Sequence, residues 1–342
     1  MKILIISTTV FPIPLQGYGG LEQLAYLLAV GLAQKGHQVT VVAPEGSRLP
    51  PEIELIPTAP REDEEKAWAR YRGRLEAGEW EVILDASWGR WAMMSSAGRD
   101  PQLPIINWHH TDPSVYGSTP PVQYPMWVGL SKSHAENLSR HLGVPVKFVY
   151  NGIDTEFYKA NGKPRGSRYA WVARYTPEKG AAEIIELAQK LRVGVDMFGD
   201  LEIIGNPGYA QMCLSRADGL FARVSGGISR EAVVDVLSTH AGLLQWSNWQ
   251  EPFSLVIPEA MACGCPVIAN RRGAMPELVV HGVPGFIVDS LAELAALIAQ
   301  GEVKKLNPDQ IRKHVEKKFS LQVFVDAWEK LLTEVASGAA RW

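Results

Sequence analysis

Cysteine is scarce in this chain, and three residues in 342 cannot build a disulfide framework. Cys263 and Cys265 flank a glycine at an expected helix end and lack the spacing of a metal pair, so the thiols read as core groups in a reducing cytoplasm. Long hydrophobic runs are missing too. The longest, Leu24 to Ala33, is too short to span a bilayer and fits an amphipathic helix. Met1-Lys2-Ile3-Leu4-Ile5-Ile6 leads directly into a strand, which leaves no room for a secretory signal. A cytoplasmic protein is expected, with peripheral contact at the inner membrane face left open. Charge of one sign is also lacking. The 34 basic and 37 acidic side chains leave a net −3, against the basic excess that a nucleic-acid partner requires. The clusters Arg70, Arg72, Arg74 and Lys313, Lys317, Lys318 sit among acids and read as solvated helix faces.

What is present is alternation. Short apolar runs interleave with helical periodicity, the pattern of repeated strand-helix units and parallel sheets. Candidate strands in the first half are Ile3–Ser7, Val39–Ala43, Val82–Asp85, Ile105–Trp108, Trp127–Leu130 and Lys147–Tyr150. The polar run Lys159 to Ser167 reads as a linker, after which the pattern restarts with Ala170–Ala173, Asp196–Gly199, Leu220–Val224, Leu243–Gln245, Val267–Ala269 and Phe286–Val288. The expected architecture is α/β, with two Rossmann-like domains: 1–158, a linker at 159–168, 169–318, and a terminal helical segment at 319–342. Ligands of open parallel sheets bind beyond the carboxyl ends of the strands, so two such domains facing each other would share a cleft.

The densest chemistry lies in Glu251-Pro252-Phe253-Ser254-Leu255-Val256-Ile257-Pro258-Glu259. Proline is tolerated only in the first turn of a helix, so Pro258 sets a helix start near Leu255 to Ile257. The amides of Phe253, Ser254, Leu255 and Val256 are then free to meet a diphosphate. Glu251 and Glu259, acceptor-only carboxylates on either side of that start, suit sugar hydroxyls better than phosphate. Alternatively, Glu259 complements the helix dipole and Glu251 is a loop acid.

This segment resembles the donor-binding signature of the retaining glycosyltransferases of family 4, which has two glutamates at this spacing. The resemblance continues through Gly264-Cys265-Pro266-Val267-Ile268-Ala269, Gly273-Ala274-Met275-Pro276-Glu277-Leu278-Val279 and Gly282-Val283-Pro284-Gly285-Phe286-Ile287-Val288. It implies the GT-B fold, with an acceptor-side first domain, a nucleotide-sugar second domain, and a last helix that returns to the first domain through Phe324, Trp328 and Leu331. It implies that Gly17, Gly19 and Gly20 form a loop touching the donor phosphates, that His109 lies near the donor sugar with His110 in reserve, and that Arg174 and Lys179 bind the diphosphate. Gly226 and Ile228 would meet the base, Glu251 the sugar hydroxyls and Glu259 the ribose. A plain loop at the glycines, surface cations at Arg174 and Lys179, and a structural histidine are the alternatives from the residues alone. No cofactor and no metal are expected; His109, His110 and Asp112 could be cast as ligands, but no further ligand cluster supports them. Ser254 departs from the family's usual glycine, and the stretch from Gly199 to Gly219 is short.

The activity implied is metal-independent transfer of a glucose- or mannose-type hexose from a nucleoside-diphosphate sugar, with retention, to a hydroxyl on a sugar, a lipid-linked acceptor or a small metabolite. The rivals are a nucleotide-sugar epimerase or hydrolase, a non-catalytic nucleotide-sugar binder and a nicotinamide-dependent oxidoreductase. The last is disfavoured because Glu22 stands where a dinucleotide fingerprint needs its third glycine.

Overall fold

In the computed structural model of the chain, which describes residues 1–14, 20–99, 101–111, 122–201 and 206–342, the run Ile3-Leu4-Ile5-Ile6 lies inside a parallel sheet. The elements up to the first crossover are β1 (Lys2–Ile6), α1 (Gly20–Gln34), β2 (Gln38–Pro44), β3 (Glu54–Thr58), α2 (Glu64–Glu76), β4 (Val82–Asp85) and α3 (Trp91–Met94). They are followed by β5 (Ile105–Trp108), β6 (Trp127–Gly129), α4 (Lys132–Leu142) and β7 (Val146–Phe148). The seven strands lie in the order β3-β2-β1-β4-β5-β6-β7, so chain order reverses between β1 and β4. Four consecutive residues of β1 and all four of β4 are buried, because a parallel sheet covered on both faces has no solvent side.

β3 has no counterpart among the strands expected from sequence. Pro57 lies within it, and a proline in a strand is compatible only with an edge, which is where β3 sits.

The first unit takes in residues 1–152 together with 321–342. Its last helix, α12 (Leu321–Ala336), lies on α1. Gly31 allows that approach, since a Cβ there would meet Val325 Cγ2 at 2.5 Å. Phe324, Val325, Trp328, Leu331, Leu332 and Val335 form its buried face, and the rings of Phe324 and Trp328 lie 5.9 and 5.1 Å from that of Trp108. Lys35 adds ion pairs to Asp326 and Glu329 at 2.7 Å each, partly exposed and therefore worth little beside the apolar face.

The second unit, residues 153–320, begins with β8 (Tyr169–Val172), α5 (Ala181–Leu191), β9 (Val195–Phe198), α6 (Pro207–Arg216) and β10 (Ala222–Ser225). It continues through α7 (Arg230–Thr239), β11 (Leu243–Gln245), α8 (Val256–Ala262), β12 (Val267–Asn270), α9 (Met275–Leu278), β13 (Gly285–Val288), α10 (Leu291–Ala299) and α11 (Pro308–Lys318). Six parallel strands run β10-β9-β8-β11-β12-β13, with the reversal between β8 and β11.

The linker expected at 159–168 is corrected here, for this stretch belongs to the second unit. Its polar residues are spent on bonds to that unit's surface. Asn161 Nδ2 and Lys163 Nζ reach Asp235 Oδ1 at 2.8 and 2.7 Å, and Arg165 donates to the carbonyls of Leu237, His240 and Cys263. The chain changes unit at 152/153 and again at 320/321, so the boundaries at 158 and 318/319 shift accordingly. Ile153 N donates to Phe319 O at 2.9 Å just inside the second unit. Arg312 on α11 fastens the next turn to the end of α8 through the carbonyls of Thr155, Tyr158 and Ala262.

Candidate functional site

The reversal between β8 and β11 brings two loops side by side at the carboxyl ends of these strands, where open sheets bind ligands. The loop after β8 carries Arg174 and Lys179, and the loop after β11 carries Trp249 and Glu251. Backbone and side-chain bonds join them: Asn248 N donates to Glu178 O at 2.8 Å, and Asn248 Nδ2 donates to Pro177 O at 2.8 Å. The far end of the second loop is held by the turn before α9, where Ala274 N donates to Glu251 O at 2.8 Å and Gly273 N to Gln250 Oε1 at 2.9 Å. Gly273 has φ +53°, and a Cβ there would overlap the Glu251 backbone, so glycine is required at this contact.

On this frame the structure brings Lys179 and Glu251 together. The ammonium donates to Glu251 Oε2 at 2.6 Å, with side-chain exposures of 12% and 5%. Trp249 Nε1 donates to the same oxygen at 2.9 Å, and the Lys179 nitrogen stands 5.0 Å from the centre of the indole ring. Arg174 is different. Its guanidinium lies 3.9 Å from Glu178 with both groups about one-third exposed, a loose contact that leaves its fork available to an incoming anion.

Pro258 falls at the third position of α8, in the first turn, and the helix begins at Val256. Phe253 and Val256 are buried anchors, the Phe253 ring lying edge-on to Phe319 at 5.9 Å. Among the described residues no acceptor meets the N–H groups of Ser254, Leu255 and Val256. α8 has only seven residues, so these local N–H groups, more than a long macrodipole, supply the positive field. Ser254 has φ +67°, a left-handed conformation that costs an L-residue about 1–2 kcal/mol and suits the glycine that the family usually has there.

Glu259 is 7% exposed, and its Oε2 has no hydrogen-bond partner among the described residues. Burial pushes its carboxyl up to about 7, opposed by the Tyr158 hydroxyl and the Arg230 guanidinium. That guanidinium stacks on Phe157 and Tyr158 at 4.5 and 5.7 Å from their ring centres. Arg230 opens α7, just beyond Gly226 and the half-buried Ile228, which follow the edge strand β10. The Tyr175 hydroxyl donates to Ser225 O at 3.0 Å and ties this turn to the loop that carries Arg174.

In the first unit, His109 follows β5 and is fully buried, its N–H donating to Val128 O at 2.8 Å. Its ring lies edge-on to Trp127, while His110 packs on Trp108 at 4.3 Å. Desolvation comes first for both rings, the charges of Arg90 and His134 add to it, and His110 adds further at His109, so both are held neutral with pKa values far below the usual histidine range. Arg90 is itself buried, donating to Asp85 O and Trp108 O at 2.7 and 2.9 Å. Gly20 is the first residue of α1; Gly17, Gly19 and Asp112 lie outside the described residues. Glu22, in the first turn of α1, is buried and accepts from the Thr8 hydroxyl at 2.9 Å. Among the described residues no group of three or more His, Cys, Asp or Glu is arranged to hold a metal ion, and no helix is long and apolar enough to cross a membrane.

Sequence reasoning missed Trp249, Tyr158 and Arg230. Trp249 stands two residues before Glu251, the one local signal that the two could act together. Tyr158 and Arg230 are 72 positions apart and carry no joint signal.

Two parallel-sheet units, the second gathering opposed charges at its chain reversal, define a protein of the GT-B class. The family described as "Glycosyl transferases group 1" matches residues 154–318, and "Glycosyltransferase Family 4" matches residues 18–157. The chain belongs to these glycosyltransferases. It is similar to a probable sucrose-phosphate synthase of Thermosipho melanesiensis, 28% identical over 179 residues, 49% of this chain and 41% of that protein. It is also similar to the N-acetyl-alpha-D-glucosaminyl L-malate synthase of Bacillus anthracis, 24% identical over 68% of each. The match thus spans under half of the first relative and about two thirds of the second. Among solved structures, Anabaena HepE in complex with UDP and glucose superposes with a TM-score of 0.75 at 18% identity, over 98% of this chain and all of that one. At that identity the likeness speaks for the fold.

Proposed function

We propose that this protein is a retaining hexosyltransferase that moves a glucose- or mannose-type sugar from a nucleoside diphosphate to an acceptor hydroxyl without a metal ion. The observation that carries this reading is the Lys179–Glu251 pair at 2.6 Å, beside the amides of residues 254–256 at the reversal of the second sheet. In glycosyl transfer the diphosphate gains charge as its bond to the sugar breaks. Fixed cations and N–H groups aimed at that charge stabilise the transition state more than the ground state. Arg174 would fork onto phosphate oxygens and Lys179 would add a point charge, doing what a divalent ion does elsewhere. Glu251 would accept a hexose hydroxyl and Glu259, in its ionised form, the ribose hydroxyls.

The acceptor oxygen forms the new bond to the anomeric carbon as the carbon–phosphate-oxygen bond breaks on the same face, and the acceptor's proton passes to the departing phosphate oxygen. No covalent sugar–protein intermediate is required. HepE, solved with UDP and glucose, supports a nucleotide-sugar donor for a protein of this fold.

The test is product stereochemistry. With chelator present and an acceptor found by screening, nuclear magnetic resonance of the product should show the anomeric configuration of the donor. An inverted product, or turnover only after a divalent ion is added, would contradict the proposal.

A further inference from the structure

The Glu251 carboxylate uses its two oxygens unequally. Oε2 accepts from both Lys179 Nζ and Trp249 Nε1, at 2.6 and 2.9 Å, while among the described residues no group donates to Oε1. The side chain is 5% exposed. A buried carboxylate stripped of its only ion partner is strongly destabilised, so a lysine that is to meet a diphosphate cannot be the sole holder of Glu251.

Trp249 resolves that conflict. The indole N–H is a donor with no acceptor capacity and cannot exchange roles with a ligand. The ring face beside the Lys179 ammonium restrains a long, flexible side chain at the point where it must serve two anions. The backbone on either side is fixed independently of the indole, by Ser247 N donating to Asn270 Oδ1 at 2.9 Å and by the Ala274 bond to Glu251 O. The Trp249 side chain is therefore not needed to close the loop, and its N–H is committed to the carboxylate.

Building on the donor-site reading, we propose that Trp249 is the positioning residue of this site. Its indole N–H keeps Glu251 in place while Lys179 shares its ammonium with the donor's diphosphate, and Oε1 stays available to a single sugar hydroxyl. One hydroxyl of the transferred hexose then carries most of the discrimination exerted by Glu251.

The experiment compares wild type with Trp249→Phe, which keeps a ring under the ammonium and removes the N–H. Three quantities are read: kcat with the nucleotide-sugar donor, the thermal shift with the bare nucleoside diphosphate, and kcat/KM for monodeoxy donors. The variant should lose about tenfold in kcat, the scale of one charge-assisted hydrogen bond. Its affinity for the bare diphosphate should stay within about twofold, which also shows that the site is folded. One monodeoxy donor should be about tenfold or more poorer than its parent with wild type and nearly equal to it with the variant. A purely structural role would not move that last ratio. If Trp249→Phe fails to fold, Trp249→Met repeats the test with a flexible apolar side chain that also lacks the N–H. A variant with wild-type kcat, or one that loses diphosphate affinity and every monodeoxy donor in equal proportion, overturns the proposal. A wild-type protein that neither binds nor turns over any nucleotide sugar overturns the reading beneath it.

Discussion

The two units gather polar side chains at the carboxyl ends of strands at or next to a chain reversal, yet they handle charge differently. In the first unit Arg90 donates to backbone carbonyls and stands 3.8 Å from the buried Asp85 carboxylate, and His109 and His110 are forced neutral by burial and by that guanidinium. In the second, Lys179 and Glu251 form an ion pair at 2.6 Å, Arg174 is loosely held, and burial pushes the Glu259 carboxyl up to about 7. On the donor-site reading, the second group of residues is the one that meets the charge growing on a departing diphosphate. The first holds uncharged imidazoles beside the rings of Trp108 and Trp127. The difference teaches that a shared fold assigns the place for a site, and that the side chains gathered there decide its chemistry.

The largest effect that would break this comparison follows from Lys179→Met. It should slow transfer by about 10²–10³-fold, the scale of losing one preorganised charge at a transition state. It should also destabilise the protein by about 3 kcal/mol, because Glu251 stays buried with Trp249 as its remaining donor. Kinetics and denaturant unfolding check both. Equal rates would remove charge stabilisation from the second unit.

Trp328→Ala probes the first unit in turn. Losing a fully buried indole between α12 and Trp108 should cost about 3–5 kcal/mol in unfolding. Nucleoside diphosphate should still produce its thermal shift, because the site's charges lie in the other unit. Loss of that shift in the folded variant would tie the two chemistries together.

Glu259→Gln sharpens the comparison through pH. The folded carboxyl titrates near 7 against 4.5 for its ordinary value, so the native state holds the proton more tightly. Stability from this group is present in full below the ordinary value and is lost as pH rises through about 7, a total of about 3 kcal/mol. The glutamine variant should lack that slope and be the more stable protein above pH 8, while binding the nucleotide sugar poorly. Unfolding curves from pH 4 to 9 decide it, and parallel slopes would refute it.

The smallest effect belongs to Ser254→Gly. Relief of the left-handed strain, less the extra freedom of glycine in the unfolded chain, should leave a gain of about 0.5 kcal/mol. Diphosphate affinity should not change, and any change in rate should depend on which sugar the donor carries.

Much of the fold was legible because buried parallel strands write themselves as short apolar runs. The structure places strands at all twelve expected runs, with ends shifted by at most two residues. The thirteenth, β3, was hidden by Pro57. The polar run at 159–168 misled because composition tells that a segment is wet, not whether its polar groups are free or bonded. In the site, Pro258 marked the start of α8 to within a residue, since its constraint is local. The Lys179–Glu251 contact spans 72 residues and the Tyr158–Arg230 stack as many, and neither leaves a local trace. Nor could the sequence tell that the histidines beside Arg90 would be neutral, because that depends on how completely the folded chain excludes water around them.

The central claim is that the second unit is a metal-free site for a nucleotide sugar. Its most direct test is thermal unfolding in the presence of chelator, with uridine, guanosine and adenosine diphosphates, their hexose conjugates and nicotinamide dinucleotide compared for wild type and Glu251→Ala. One nucleotide sugar at a hundred times its dissociation constant should add about 2.7 kcal/mol to the wild type. Its advantage over the bare diphosphate should vanish in the variant, where the sugar's acceptor is gone. A shift with the dinucleotide alone, with no nucleotide, or with the sugar advantage intact in Glu251→Ala would contradict the claim.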